Sequence, residues 1–156
     1  SNKIDAGALN HAKNAGVPSL TFGKKEFTSE AVVEDFLAEK KVELIVLAGF
    51  LLKVPVSLID LYPDKILNIH PALLPKYGGK GMYGMNVHNA VIAGKEKKSG
   101  ITIHLVNEKY DDGATIAQFE CNLNVHDTPQ SLAQKVSALE RSHFPNTIEE
   151  YILKIK

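Results

Sequence analysis

The chain has 156 residues, of which 44% are hydrophobic and 23% charged, the size and composition of one globular domain. Its 18 Lys and Arg balance its 18 Asp and Glu, so no overall field attracts nucleic acid or an anionic membrane. The single cysteine, Cys121, excludes an internal disulfide and a cysteine-based zinc site. No apolar run approaches the ~20 residues of a membrane span, and the N-terminus lacks the apolar core of a signal peptide. We therefore expect a cytoplasmic protein with neither a nucleic-acid nor a membrane partner.

Helix and strand signals alternate along the chain, which favours a mostly parallel α/β sheet in a single domain. Helices are predicted over 8–15, 29–41 with Ser29 as a cap, 55–62 and 86–93. A long C-terminal helix should start at Thr128 or Ser131 and kink or break at Pro145. Strands are predicted over 17–22, 42–50, 65–70, 100–106 and 114–125. The nearly unbroken apolar run of 42–50 is typical of a strand buried on both faces.

Asn68 and His70 are the first candidates for chemistry. Residues i and i+2 of a strand point to the same face, so a strand ending at His70 presents an amide beside an imidazole. Pro71 has no backbone N–H and cannot continue a central strand. The pair is therefore predicted at the C-terminal tip of a strand, where open α/β sheets bind ligands.

Asp111 could add a carboxylate to this pair, although beside Asp112 and Gly113 it also fits ordinary turn chemistry. A carboxylate near an imidazole favours its protonated form and fixes its orientation. An amide N–H can stabilise an oxyanion while the imidazole moves a proton. Together the three side chains would suit acyl or formyl transfer.

Other motifs are weaker. Residues 79–84 match G-x-G-x-x-G, but a Pro-containing loop rather than a strand precedes them, so we expect a flexible loop beside the site and reject a dinucleotide site. His88 and His104 could approach the same cleft, but a structural role is the simpler interpretation. The histidines lack metal-ligand spacing, and no metal is predicted. By its pattern alone, Glu140 is a solvated residue on the long helix.

Asn68-Ile69-His70-Pro71, the following Leu73-Leu74-Pro75 and Asp111 before Gly113 resemble the formyltransferase superfamily that uses 10-formyltetrahydrofolate. Leu47-Ala48-Gly49-Phe50, the continuation Pro75-Lys76-Tyr77 and Glu140 most resemble its branch that formylates glycinamide ribonucleotide in purine biosynthesis. The resemblance implies a Rossmann-like three-layer α/β sandwich and two small-molecule substrates, the ribonucleotide and the folate.

The resemblance also implies roles for individual residues. His70 would be the general acid and base, Asn68 would hold the oxyanion, and Asp111 would tune and orient His70. Glu140 would contact the ribonucleotide. The folate would be bound by two segments, Leu51, Leu52, Lys53 and Val54 in the first and Asn107, Glu108, Lys109 and Tyr110 in the second.

The N-terminus departs from the family pattern. Relatives begin with a strand, a glycine- and serine-rich phosphate loop and a helix, whereas Ser1-Asn2-Lys3 looks like the end of a second strand. We therefore expect residues 1–156 to be one formyltransferase domain that is N-terminally incomplete, without its first strand and phosphate loop. Two alternatives remain: formyl transfer to another amine, such as an amino sugar nucleotide, or a folate-binding fragment without turnover. The sequence leaves the oligomeric state open.

Overall fold

The computed structural model describes residues 1–28 and 30–155. Within these ranges the chain forms six helices and four strands. The helices are α1 (Gly7–Asn14), α2 (Lys24–Thr28), α3 (Val32–Glu39), α4 (Val56–Leu61), α5 (Met85–Ala93) and α6 (Pro129–Ile155). The strands are β1 (Ile45–Leu47), β2 (Ile66–His70), β3 (Lys98–Leu105) and β4 (Thr115–Asn122).

The described strands form one mixed sheet in the order β1-β2-β3-β4. β1 pairs with β2 in parallel, whereas β2 with β3 and β3 with β4 are antiparallel. The α/β class is confirmed, but the expectation of a mostly parallel sheet is wrong for the described strands. The turn around Asp111 lets β4 return beside β3 without a crossover helix, which an antiparallel pairing permits.

Two apolar cores lie on opposite faces of the sheet. Leu67 and Ile69 of β2 are buried in a core that also contains residues of α5 and α6. Ile66 of β2 belongs to a second core built with residues of α2, α3 and α4. Because neighbouring residues of a strand point to opposite faces, this alternation confirms a sandwich of three layers.

Two predicted strands differ from the structure. Residues 17–22 form no strand: in the described part of the chain, Leu20 and Phe22 bond only the terminal residue Ser1, and the Val17 N–H donates to the Ala12 carbonyl at the end of α1 rather than to another strand. The predicted strand over 42–50 shrinks to β1, and Val46 is 37% exposed. β1 lies at the edge of the described sheet, and the core formed with α5 and α6 includes none of its residues. Burial on both faces was therefore a wrong prediction.

The helix predicted over 29–41 corresponds to α3, but its proposed cap, Ser29, lies outside the described residues. α6 begins where expected, since the backbone N–H groups and hydroxyls of Thr128 and Ser131 bond each other reciprocally. α6 continues through Pro145 as one helix, so a break there was a wrong prediction, and the alternative of a kink stays a prediction. Although α6 has 27 residues, no helix in the described ranges is both long and apolar enough to cross a membrane.

Candidate active site

Asn68 and His70 lie on one face of β2, and the strand ends at His70 as predicted. Both side chains point to the face of Ile66, away from the core of α5 and α6. His70 is only 3% exposed. Its Nε2–H donates to the carbonyl of Tyr77 at 2.8 Å, so in the neutral ring the lone pair is on Nδ1.

His104 of β3 lies directly opposite Asn68 in the antiparallel register. Its Nδ1–H donates to the Leu105 carbonyl at 2.8 Å, which leaves Nε2 to accept the Asn68 amide N–H at 3.0 Å. This contact fixes the Asn68 amide and leaves its second N–H available to a ligand. His104, interpreted above as structural, therefore belongs to the site; its place within a predicted strand was visible in the sequence, but its register with Asn68 was not.

Asp111 reaches the same place from the turn between β3 and β4. Its Oδ2 accepts the Gly79 N–H at 2.8 Å and lies 3.5 Å from Nδ1 of His70. Its Oδ1 lies 3.7 Å from Nε2 of His104. The structure thus brings together the amide, imidazole and carboxylate that the sequence singled out, and it adds a second imidazole.

The protonation of His70 reflects opposing influences. Burial lowers its pKa below the ordinary histidine value, and the charge of Asp111 and the hydrogen bond to Tyr77 only partly counteract burial. His104 lowers the pKa further. His70 is therefore mainly neutral at pH 7, with Nδ1 able to take a proton.

The pKa of Asp111 is lower than that of an ordinary aspartate. Burial by itself would raise it, but contact with His104, the Gly79 N–H and the nearby His70 outweigh burial. Asp111 is consequently ionised and provides the negative charge that a protonated His70 would need.

Two adjoining cavities meet at Asn68 and Asp111. The first, of about 70 Å³, includes His104 and six of the eight residues predicted to bind folate. Those six are Leu52, Lys53, Val54, Asn107, Lys109 and Tyr110. Leu51 instead lines the second cavity, whereas Glu108 lines neither. The two predicted segments therefore do converge beside the three central side chains.

The second cavity, of about 320 Å³, contains His70 and the glycine loop 79–84. Gly79 and Gly81 adopt positive φ angles of 94° and 90°, and the loop leads into α5 without a preceding strand. His88 of α5 also lines this cavity, and its buried Nδ1 has no hydrogen-bond partner. The loop thus lies beside the site, as predicted, and His88 is a second histidine that the sequence reasoning had set aside.

Comparison with known proteins identifies the family. Residues 1–148 match the family described as formyl transferase. The chain belongs to the formyl transferase family.

Relatives of this formyl transferase share a common name. Phosphoribosylglycinamide formyltransferase, chloroplastic, from Arabidopsis thaliana is 44% identical over 140 residues, which are 86% of this chain and 48% of that protein. The Bacillus subtilis phosphoribosylglycinamide formyltransferase is 33% identical, covering 97% of this chain and 77% of the relative. The crystal structure of the Bacillus halodurans protein of that name superposes with a TM-score of 0.88 at 31% identity, covering 99% of this chain and 79% of that one. The chain spans about half the length of the plant relatives it matches.

Glu140 is separate from the two cavities of the formyl transferase site. It lies on α6, half-buried, and burial raises its pKa while Arg141 lowers it. Neither cavity includes it, so its contact with a ribonucleotide remains a prediction. Within 1–28 and 30–155, no group of three or more His, Cys, Asp or Glu side chains is arranged to hold a metal ion.

Proposed function

We propose that this formyl transferase moves the formyl group of 10-formyltetrahydrofolate to the amine of glycinamide ribonucleotide in purine biosynthesis. The observation that supports it is the convergence of Asn68, His70 and Asp111 where two cavities meet. A reaction between two substrates needs such a junction, with the groups that move protons lying between them. The names of the relatives, phosphoribosylglycinamide formyltransferases, support the choice of ribonucleotide as the acceptor.

In the proposed reaction the amine nitrogen attacks the formyl carbon, and the carbonyl oxygen becomes an oxyanion. The free N–H of the Asn68 amide stabilises that oxyanion, because His104 Nε2 already accepts the other N–H of the same NH₂ group and so fixes its orientation. His70, neutral beforehand, takes the amine proton on Nδ1, and Asp111 stabilises the resulting imidazolium. His70 then returns the proton to the departing folate nitrogen, giving the formylated amine and tetrahydrofolate.

We assign the pterin end of the folate to the first cavity, since at about 70 Å³ it encloses only part of that molecule, and the amine to the second. The first cavity combines apolar walls, such as Leu52 and Val54, with the polar groups of Asn107 and Lys109, a lining that suits a heterocycle with an anionic tail. The second cavity holds His70 and the glycine loop, so an amine there has direct access to the imidazole. From outside the first cavity, Leu51 and Glu108 would contact the folate and Glu140 would contact the ribonucleotide.

The test is a formyl-transfer assay with purified protein, 10-formyltetrahydrofolate, and either glycinamide ribonucleotide or an amino sugar nucleotide as the acceptor. The ribonucleotide should be the preferred acceptor. His70→Ala should lower turnover by about 10² or more, a typical general acid–base contribution, with folate affinity measured by calorimetry close to normal. His126→Ala, at an exposed histidine, is the matched control.

Three outcomes would contradict the proposal in different ways. Preference for the sugar nucleotide would reassign the acceptor. Folate binding without turnover on either amine would favour a non-catalytic folate-binding fragment. Unchanged turnover in His70→Ala would remove His70 from its role.

A cytoplasmic location and the absence of metal, nucleic-acid and membrane partners stay predictions. The Arabidopsis relative is named as chloroplastic.

A further inference from the structure

The carbonyl of Tyr77 is the group that decides which nitrogen of His70 carries the lone pair. It accepts the Nε2–H of His70 at 2.8 Å, so the neutral ring has its lone pair on Nδ1, the nitrogen that faces Asp111. If the carbonyl moved away, the ring could rotate or place its proton on Nδ1. The position of the Tyr77 carbonyl therefore determines which nitrogen of His70 is free to take a proton.

The backbone of Tyr77 does not adopt this position by intrinsic preference. Its φ is 57°, in the left-handed region that costs a residue with a Cβ about 1 kcal/mol or more. Such a conformation persists only when surrounding contacts hold it. A side chain tied down at its far end provides such a contact.

The hydroxyl of Tyr77 is tied to the end of α5. It donates to Oε1 of Glu96 at 2.9 Å, and the ring packs against the core. At Gly94, the C-cap of α5, an added Cβ would collide with the Tyr77 hydroxyl. The ring thus fits closely over the helix end, and Glu96 receives its hydroxyl just beyond that end.

We propose that Tyr77 and Glu96 act as a positioning pair for His70: their side-chain hydrogen bond holds the Tyr77 carbonyl against Nε2 and so keeps Nδ1 free for proton transfer. The two side chains act on His70 only by way of the Tyr77 carbonyl, so both are positioning residues. This inference rests on the proposed function for its consequence in turnover, but its structural part, the protonation and tautomer of His70, is measurable without any substrate.

The hydrogen bond, not the negative charge of Glu96, should carry the effect. Lys76 also contacts Oε1 of Glu96, at 2.9 Å, but its side chain is 70% exposed, and surface ion pairs contribute little. Glu96→Gln keeps an acceptor oxygen for the tyrosine hydroxyl while removing the charge. Glu96→Ala removes both, and Tyr77→Phe removes the donor while keeping the ring.

The primary experiment is ¹⁵N NMR of the histidine rings in the full chain as a function of pH. In the unaltered protein His70 should be protonated on Nε2 in its neutral form. Tyr77→Phe and Glu96→Ala should mix the two tautomers and lower the pKa of His70, because the carbonyl contact raises that pKa. Asp111, His104 and His88 are the titratable groups that face His70 or act on it electrostatically, and they are unchanged in these variants.

The second readout is turnover with glycinamide ribonucleotide and 10-formyltetrahydrofolate. Tyr77→Phe and Glu96→Ala should each lower kcat roughly 10-fold, within what misplacement of a catalytic group by about an ångström can cause, with the folate KM unchanged. The double variant should be no slower than either single variant. Glu96→Gln and the control Lys76→Met should resemble the unaltered protein in both measurements.

Each result supports or overturns the inference. A single Nε2–H tautomer and an unchanged His70 pKa in both Tyr77→Phe and Glu96→Ala would overturn it, whatever the turnover. If Glu96→Gln mixes the two tautomers of His70 as much as Glu96→Ala does, the inference is also overturned, because the charge of Glu96 would then be the cause. If the tautomer shifts as expected but neither the unaltered chain nor any variant shows turnover, the positioning role of Tyr77 and Glu96 stands and the proposed function fails.

Discussion

Thr102 anchors the loop that follows His70, and replacing it with valine isolates the contribution of one hydroxyl. Thr102 of β3 is 0% exposed and lies opposite His70 in the sheet. Its Oγ1 donates to the Ala72 carbonyl at 2.7 Å and accepts the Leu74 N–H at 2.9 Å. The Gln118 amide donates to the same oxygen at 2.9 Å. One donor and two acceptor sites are the whole capacity of a hydroxyl.

Thr102→Val preserves the shape of the side chain but leaves the Ala72 carbonyl and the Leu74 N–H without their partner. Each buried unsatisfied group costs about 1–3 kcal/mol. Ala72 is fully buried but Leu74 only partly, so we expect a total loss of about 2–4 kcal/mol in the free energy of unfolding. Thr102→Ser keeps the hydroxyl and removes one methyl group, which costs about 1 kcal/mol.

Urea unfolding followed by circular dichroism measures both variants against the unaltered protein. With a slope of about 2 kcal/mol per molar urea, Thr102→Val should lower the midpoint by about 1–2 M and Thr102→Ser by about 0.5 M. A valine variant as stable as the serine variant would refute the reasoning, because losing the hydrogen bonds of the hydroxyl would then cost no more than losing one methyl group.

Three further predictions concern charge and backbone. Asp111→Asn should lower kcat and move the acid limb of the pH–kcat/KM profile to lower pH, because the charge of Asp111 raises the pKa of His70; an unmoved limb would contradict that coupling. Hydrogen bonds from the side chain of Lys135, the Asn124 N–H and Ser131 lower the pKa of Asp127 to about 2. The ionised carboxylate of Asp127 therefore contributes its full stability above pH 3.8, and that stability is lost as the pH falls towards 2. Urea midpoints of Asp127→Asn and the unaltered protein should therefore converge at low pH, and a constant gap would disprove this. Gly113→Ala should lower the thermal midpoint strongly, because a Cβ there would collide with the backbone near the end of β3, whereas Gly7→Ala in open space on α1 should be neutral or raise it.

The local arrangement of the site could be predicted from the sequence because it depends on short-range rules. The alternation of side chains along a strand places Asn68 and His70 on one face, and Pro71 marks where β2 must end. The start of α6 followed in the same way from Thr128 and Ser131, whose polar groups satisfy the free N–H groups of a helix end. These features need no knowledge of which strand lies beside which.

Strand order and pairing direction were decided only by the tertiary structure. Alternating helix and strand signals suggested parallel pairing, but the described sheet has one parallel pair and two antiparallel pairs. Exposure of Val46 likewise depends on the edge position of β1. An apolar run shows that its side chains are hydrophobic, but their burial depends on which other elements of the fold pack against them.

By itself, therefore, the sequence determined which side chains stand together on β2 and, through family resemblance, which distant carboxylate to expect beside them. Only the tertiary structure decided that His104 holds the Asn68 amide and that the Tyr77 carbonyl selects the free nitrogen of His70. The physical reason is that the first contact depends on antiparallel register and the second on a left-handed backbone residue in a loop. Both are set by long-range packing, which local residue patterns do not encode.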